Sequence, residues 1–162
     1  MNLFSFISKY FWVIGAFVML FNLRASPQLR EDLMRDPVFA WEHRRLKQRY
    51  TLLLLLPWII MGLGIMSGGV HSVWSYLRPQ DLDAWVLGLH AYNLLLAAAC
   101  LVWAVWFRGA RTIAKHHLFE AYFFGKPVTI TEQRARLFAL LMFVGYIVSI
   151  VSLALSDVKI PG

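Results

Sequence analysis

The chain has 162 residues, of which 59% are apolar and only 15% charged, far from the roughly half apolar, quarter charged mixture of soluble domains. That composition excludes an ordinary soluble globule, and the apolar residues fall in four runs that leave too little chain for a separate soluble domain. Lys and Arg exceed Asp and Glu to give +7, while the single cysteine, Cys100, excludes an internal disulfide and a Cys-based metal knuckle.

The expected fold class is an all-α membrane protein, a four-transmembrane-helix bundle with short amphipathic cytoplasmic helices, built as one integral membrane domain over residues 1–162. The spans are expected at about 3–23, 51–70, 84–107 and 137–156, with connections at 24–50 and 108–136. In the first run only Lys9 is charged, and its ammonium reaches the interface by snorkelling. No basic leader precedes this run and no A-x-A-like site follows it, so it is expected to be a retained span rather than a signal peptide.

The first connection contains Ser26-Pro27 and Asp36-Pro37, each a capping residue before a proline at the first helical position. Two helices follow, the second running uninterrupted into the second span and carrying Arg44, Arg45, Lys47 and Arg49 as a collar for lipid headgroups. Within the second span Pro57 frees a backbone carbonyl, and Gly64 and Gly68 stand in G-x-x-x-G spacing beside Gly62. With Gly145 and Ser149 of the fourth span, these are the expected helix-packing positions, because small residues let helices approach where lipid offers no hydrophobic drive.

The third run, Ala84 to Phe107, is uncharged and carries His90 and Asn93, one turn apart. An intramembrane polar pair needs partners, and an interhelical hydrogen bond is the simplest one. A ligand or cofactor contact is the functional alternative. Cys100, at midplane depth, is read as an inert small hydrophobe. Beyond this span, RGARTIAKHHLFEAYFF is expected to extend the helix to the stop signals Gly125 and Pro127, and Thr129 with Glu132 has capping-box spacing for the helix that becomes the fourth span. The two halves share a layout that resembles a parallel internal repeat, although their residue identity is negligible.

Charge sets the orientation. Residues 24–49 hold seven Lys/Arg and 108–136 hold six, whereas Lys9, Arg78 and Lys159 are the only others. Both connections are therefore expected in the cytoplasm, N-out/C-out, with Tyr10, Trp12, Trp74, Tyr76 and Trp85 as the outer aromatic belt and Trp41, Tyr50 and Trp106 as the inner one. A bacterial inner (cytoplasmic) membrane is the expected location. Since the basic residues lie directly beside the spans, anionic lipid accounts for them and nucleic acid is not an expected partner.

Chemical signatures are sparse. None of the nine Asp/Glu residues lies within a span, which argues against proton-coupled transport and intramembrane aspartic proteolysis. G-x-S-x-G, H-E-x-x-H and G-x-x-x-x-G-K are all missing. His43, His116 and Glu120 are the candidate metal ligands, because imidazole with carboxylate suits zinc or iron and His116 and Glu120 are four residues apart on one helical face. Haem is weighed as well, but only His90 lies within a span and no second histidine is available at that depth. No cofactor is expected, with haem and a divalent metal left open.

The expected function is therefore that of a non-catalytic accessory, assembly or scaffolding subunit, binding another membrane protein or itself, and anionic lipid. The alternative is a membrane enzyme or redox or metal-binding protein whose cytoplasmic site uses His43, Arg44, Arg45, His116, His117 and Glu120. A channel lined by His90 and Asn93 is a third class and requires an oligomer.

Overall fold

A computed structural model describes residues 3–22, 27–116, 118, 121–123, 126–128 and 130–156. Among these the chain is mainly helical, with short turns between helices and one short antiparallel hairpin. In order it forms α1 (Leu3–Asn22), α2 (Pro27–Arg35), α3 (Pro37–Met66), two 3₁₀ turns (Val73–Leu77 and Pro79–Asp81), α4 (Ala84–Trp106), α5 (Gly109–Lys115), β1 (Ala121–Phe123), β2 (Lys126–Val128) and α6 (Glu132–Leu155). Three helices, α3, α4 and α6, are long and apolar enough to cross a membrane, which makes this an integral membrane protein; α1 holds a shorter described apolar run, Phe6–Leu20.

The start of α3 follows the cap chemistry of the sequence. The Asp36 carboxylate accepts from the backbone N–H of Val38 at 2.9 Å and Phe39 at 3.0 Å, and Pro37, which has no N–H, occupies the first position. From there 30 residues run unbroken through the collar and past Pro57. Asp83 caps α4 in the same way, accepting from Trp85 at 2.8 Å and Val86 at 3.3 Å.

The third expected span does not continue into the connection. Helix α4 ends at Trp106, Arg108 turns the backbone with a left-handed φ of 57°, and Gly109 starts a separate seven-residue helix. A β-hairpin occupies part of the segment expected to be helical, pairing Tyr122 with Pro127. Helix α6 is capped by Thr131, whose hydroxyl accepts from Arg134 N–H at 3.3 Å, so the cap lies two residues beyond the expected Thr129; Thr129 and Ser26 lie outside the described residues. The two connections are thus built differently.

Packing follows a row, α1 on α3, α3 on α4 and α4 on α6, with α5 against both α4 and α6. Helices α3 and α6 flank α4 and hardly touch each other. Two buried clusters hold the row together. At the end carrying residues 67–83, here the loop end, Ile65, Val70, Val73, Tyr76, Val86 and Leu89 form one core, with Val86 completely buried. At the opposite, collar end, Ala104, Ala110, Ile113 and Ala135 form the other. Trp12, Trp74 and Trp85 pack on the first cluster and Tyr76 belongs to it, so these four aromatic residues contribute to that core.

Glycine and indole pack reciprocally between α1 and α3. A Cβ at Gly15 would overlap the Trp58 ring, and one at Gly62 would lie 2.7 Å from the Trp12 ring. Each helix therefore offers a notch for the other's tryptophan, which bares backbone to a large apolar face and brings the axes close. Gly64 receives Tyr76 and Trp85 from the loop-end core. Gly68 does not pack as expected. Helix α3 has ended at Met66, and Gly68 instead makes the turn with φ +75° and open space around it.

Replacing Gly62 by Leu should displace the Trp12 ring and cost about 1–3 kcal/mol, the usual penalty for overfilling a packed site. Thermal unfolding in detergent reads this directly, and an unchanged midpoint would contradict the indole-notch packing.

Candidate functional site

His90 sits two turns into α4, where the Asp83 cap fixes the helix start. Its Nε2 lies 2.9 Å from the backbone carbonyl of Tyr76, and its Nδ1 lies 3.0 Å from the Tyr146 hydroxyl of α6. A carbonyl oxygen only accepts, so Nε2–H donates to Tyr76, and the second ring nitrogen bonds the Tyr146 hydroxyl. Asn93, one turn further along α4, lines the same cavity as Tyr146. The Tyr76 hydroxyl in turn donates to the Met61 carbonyl of α3 at 3.2 Å. Burial, with the Asp83 charge adding to it, pushes this phenol up to about 12, so it stays a donor at physiological pH.

These bonds tie α3, the loop end, α4 and α6 in one polar chain. The partners of His90 are protein groups, one in the loop end and one in α6. Both imidazole nitrogens are engaged, so haem ligation through His90 requires breaking one of these bonds.

Pro57 frees the carbonyl of Leu53, four residues earlier in α3. The Tyr92 hydroxyl of α4 donates to that oxygen at 2.8 Å. Tyr92 is not among the residues that the sequence singles out. The signal is the proline itself, since a freed carbonyl in a span needs a donor from a neighbouring helix.

Between α3 and α6, above α4, lies an elongated cavity of about 450 Å³. It runs from Tyr50 and Trp103 near the collar end to Met61, Leu89 and Tyr146 toward the loop end. Ala97, Cys100 and Ala104 line it from α4, and these small side chains are what leave the space. Its few polar groups include the Asn93 amide and the Tyr50 and Tyr146 hydroxyls.

At the collar end the structure brings His43 and His116 together. Both are buried, 5% and 2% exposed, with ring centroids 6.0 Å apart. Phe39 stacks on His116 at 4.7 Å and 8°, and Lys115 lies 5.7 Å from the centroid of the Phe39 ring. Glu42 receives Lys115 at 3.3 Å and lies 3.7 Å from His116 Nε2. Phe39 and Glu42 are contacts that spacing alone does not reveal. Glu120 and His117 lie outside the described residues, and no cluster of three or more His, Cys, Asp or Glu with metal-binding geometry occurs among the described ones. Of the collar, Arg44, Arg45 and Arg49 are exposed and Lys47 is half-buried, with Arg45 placed 5.4 Å from the Trp41 ring centroid.

On α6, Gly145 has no atom within 4 Å of where a Cβ would stand, and Ser149 on the next turn is exposed, its hydroxyl turned back to the Gly145 carbonyl at 2.8 Å. This notch is unfilled, unlike those at Gly15, Gly62 and Gly64.

Tyr92→Phe should cost about 1–3 kcal/mol by leaving the Leu53 carbonyl unsatisfied. In a Pro57→Ala background, where the alanine supplies a backbone N–H to that carbonyl, the same change should cost much less. Thermal unfolding of the four proteins gives the coupling, and additive losses would sink the assignment of Tyr92 to that carbonyl.

Compared with known protein families, curated proteins and solved structures, the chain matches none.

Proposed function

We propose that this chain is a small polytopic membrane subunit that acts by binding, as an accessory, assembly or scaffolding protein, and not by catalysis of its own. In this reading α1 is a fourth span and the chain lies N-out/C-out in a bacterial inner membrane. The collar end then faces the cytoplasm, where Arg44, Arg45, Lys47 and Arg49 meet anionic headgroups. The observation that carries the reading is the open notch at Gly145. Gly15, Gly62 and Gly64 are each covered by an aromatic ring of this chain, whereas Gly145 and Ser149 present the same kind of approach surface outward. In a bilayer such a surface favours another helix, either of a different membrane protein or of a second copy.

The intramembrane polar groups support the same conclusion. His90, Tyr146 and Tyr92 are bonded to one another or to backbone, which suits a rigid presenting scaffold.

Gly145→Leu should abolish co-purification of the partner, or dissociate a homo-oligomer, without lowering the thermal midpoint, because the new Cβ enters open space. Native mass spectrometry of the protein extracted in mild detergent reads the assembly. Retention of every bound chain by the variant would refute the proposal.

A second reading rests on the buried His43–His116 pair with Glu42 beside it, a site able to transfer a proton at the cytoplasmic face. His43→Ala and His116→Ala separate the two. Under the first reading the cellular role survives both changes as long as the assembly survives; loss of the role with the assembly preserved would establish the second.

A further inference from the structure

We propose that the cavity between α3 and α6 is a site for one acyl chain of an anionic phospholipid, whose headgroup meets the basic collar. Along α3 the lining runs from Tyr50 to Met61, which at 1.5 Å per residue is about 16 Å. That is about half of a hydrocarbon core roughly 30 Å thick, the depth of a single leaflet.

About 450 Å³ of space over about 16 Å, lined almost wholly by apolar side chains, has room for an extended hydrocarbon chain. What separates a lipid from an apolar helix as occupant is the charge at one end. The small residues Ala97, Cys100 and Ala104 along α4 give such a chain a smooth floor.

The charge at one end selects the lipid. Tyr50 closes the α3 side directly after Lys47 and Arg49, and Ala135 on the α6 side stands between Arg134 and Arg136. Arg136 is paired with Glu132 and Lys115 with Glu42, and the cationic balance at this end is carried by Lys47 and Arg49 of α3. A chain lying in the cavity thus places its phosphate among bases, and an anionic headgroup gains where a zwitterionic one does not. This extends the lipid-binding half of the proposed function, and its test does not involve the protein partner.

The test is native mass spectrometry of the full chain in mild detergent, titrated with phosphatidylglycerol and with phosphatidylcholine of the same acyl chains. One phosphatidylglycerol should be retained, about tenfold or more tighter than phosphatidylcholine. Ala97→Trp, which fills the cavity, should remove retention of both lipids. Lys47→Gln with Arg49→Gln should erase the preference while leaving one lipid bound.

Because the tryptophan variant can fail to fold, the native chain supplies a second measurement. Cys100 is its only cysteine and lines the cavity, so phosphatidylglycerol should slow methanethiosulfonate labelling of Cys100 several-fold. Labelling unaffected by lipid, equal affinity for the two lipids, or a retained prenyl compound or polypeptide in place of phospholipid would each overturn the proposal.

Discussion

The carbonyl of Leu53 has no amide of its own helix to bond, because Pro57 stands where that amide belongs, and hydrocarbon offers no water to replace it. The Tyr92 hydroxyl meets it at 2.8 Å, which fixes α3 against α4. The same constraint recurs nearer the loop end. His90 cannot remain unbonded at its depth, so it joins the Tyr76 carbonyl to the Tyr146 hydroxyl, and through them the loop end to α6. Each bond is modest against alternatives in water, yet each is obligatory once water is excluded. The register of α3, α4 and α6 is therefore set by polar atoms in an apolar medium.

Apolar packing sets how close the helices come. Trp12 and Trp58 each lie over a glycine of the facing helix, and Tyr76 and Trp85 cover Gly64, so large rings fill the notches that glycines open. Along the middle of α4 the pattern reverses. Ala97, Cys100 and Ala104 face the space between α3 and α6, and no aromatic ring fills it. The row of helices therefore has two tight ends and a cavity between them. Cavity and outward notch are separate surfaces on α6.

Some of this architecture is written locally. Caps depend on neighbours in the chain, so Asp36-Pro37 announces the start of α3 and Pro57 announces a freed carbonyl. The break at Phe107–Arg108 is not legible in the same way, because Arg108 and not Gly109 adopts the left-handed conformation. Its reason is tertiary: a Cβ at Gly109 would overlap the Trp103 ring, and the turn lets α5 pack on both α4 and α6. His43 and His116 stand out as candidates from residue type alone. Their meeting does not, since it depends on that turn bringing the end of α5 back to the start of α3.

The sequence by itself determined that this is a membrane protein, because apolar run length is a property of each segment alone, and the charge asymmetry about those runs is equally local. It also determined that His90 must be bonded and that the Leu53 carbonyl must find a donor. Only the tertiary structure decided which groups answer, Tyr76, Tyr146 and Tyr92, and which glycines are filled and which left open. Periodicity places a residue on a face of its helix. Which neighbour that face meets, and what space remains between them, depends on how separate helices pack, and that is a property of the assembled row.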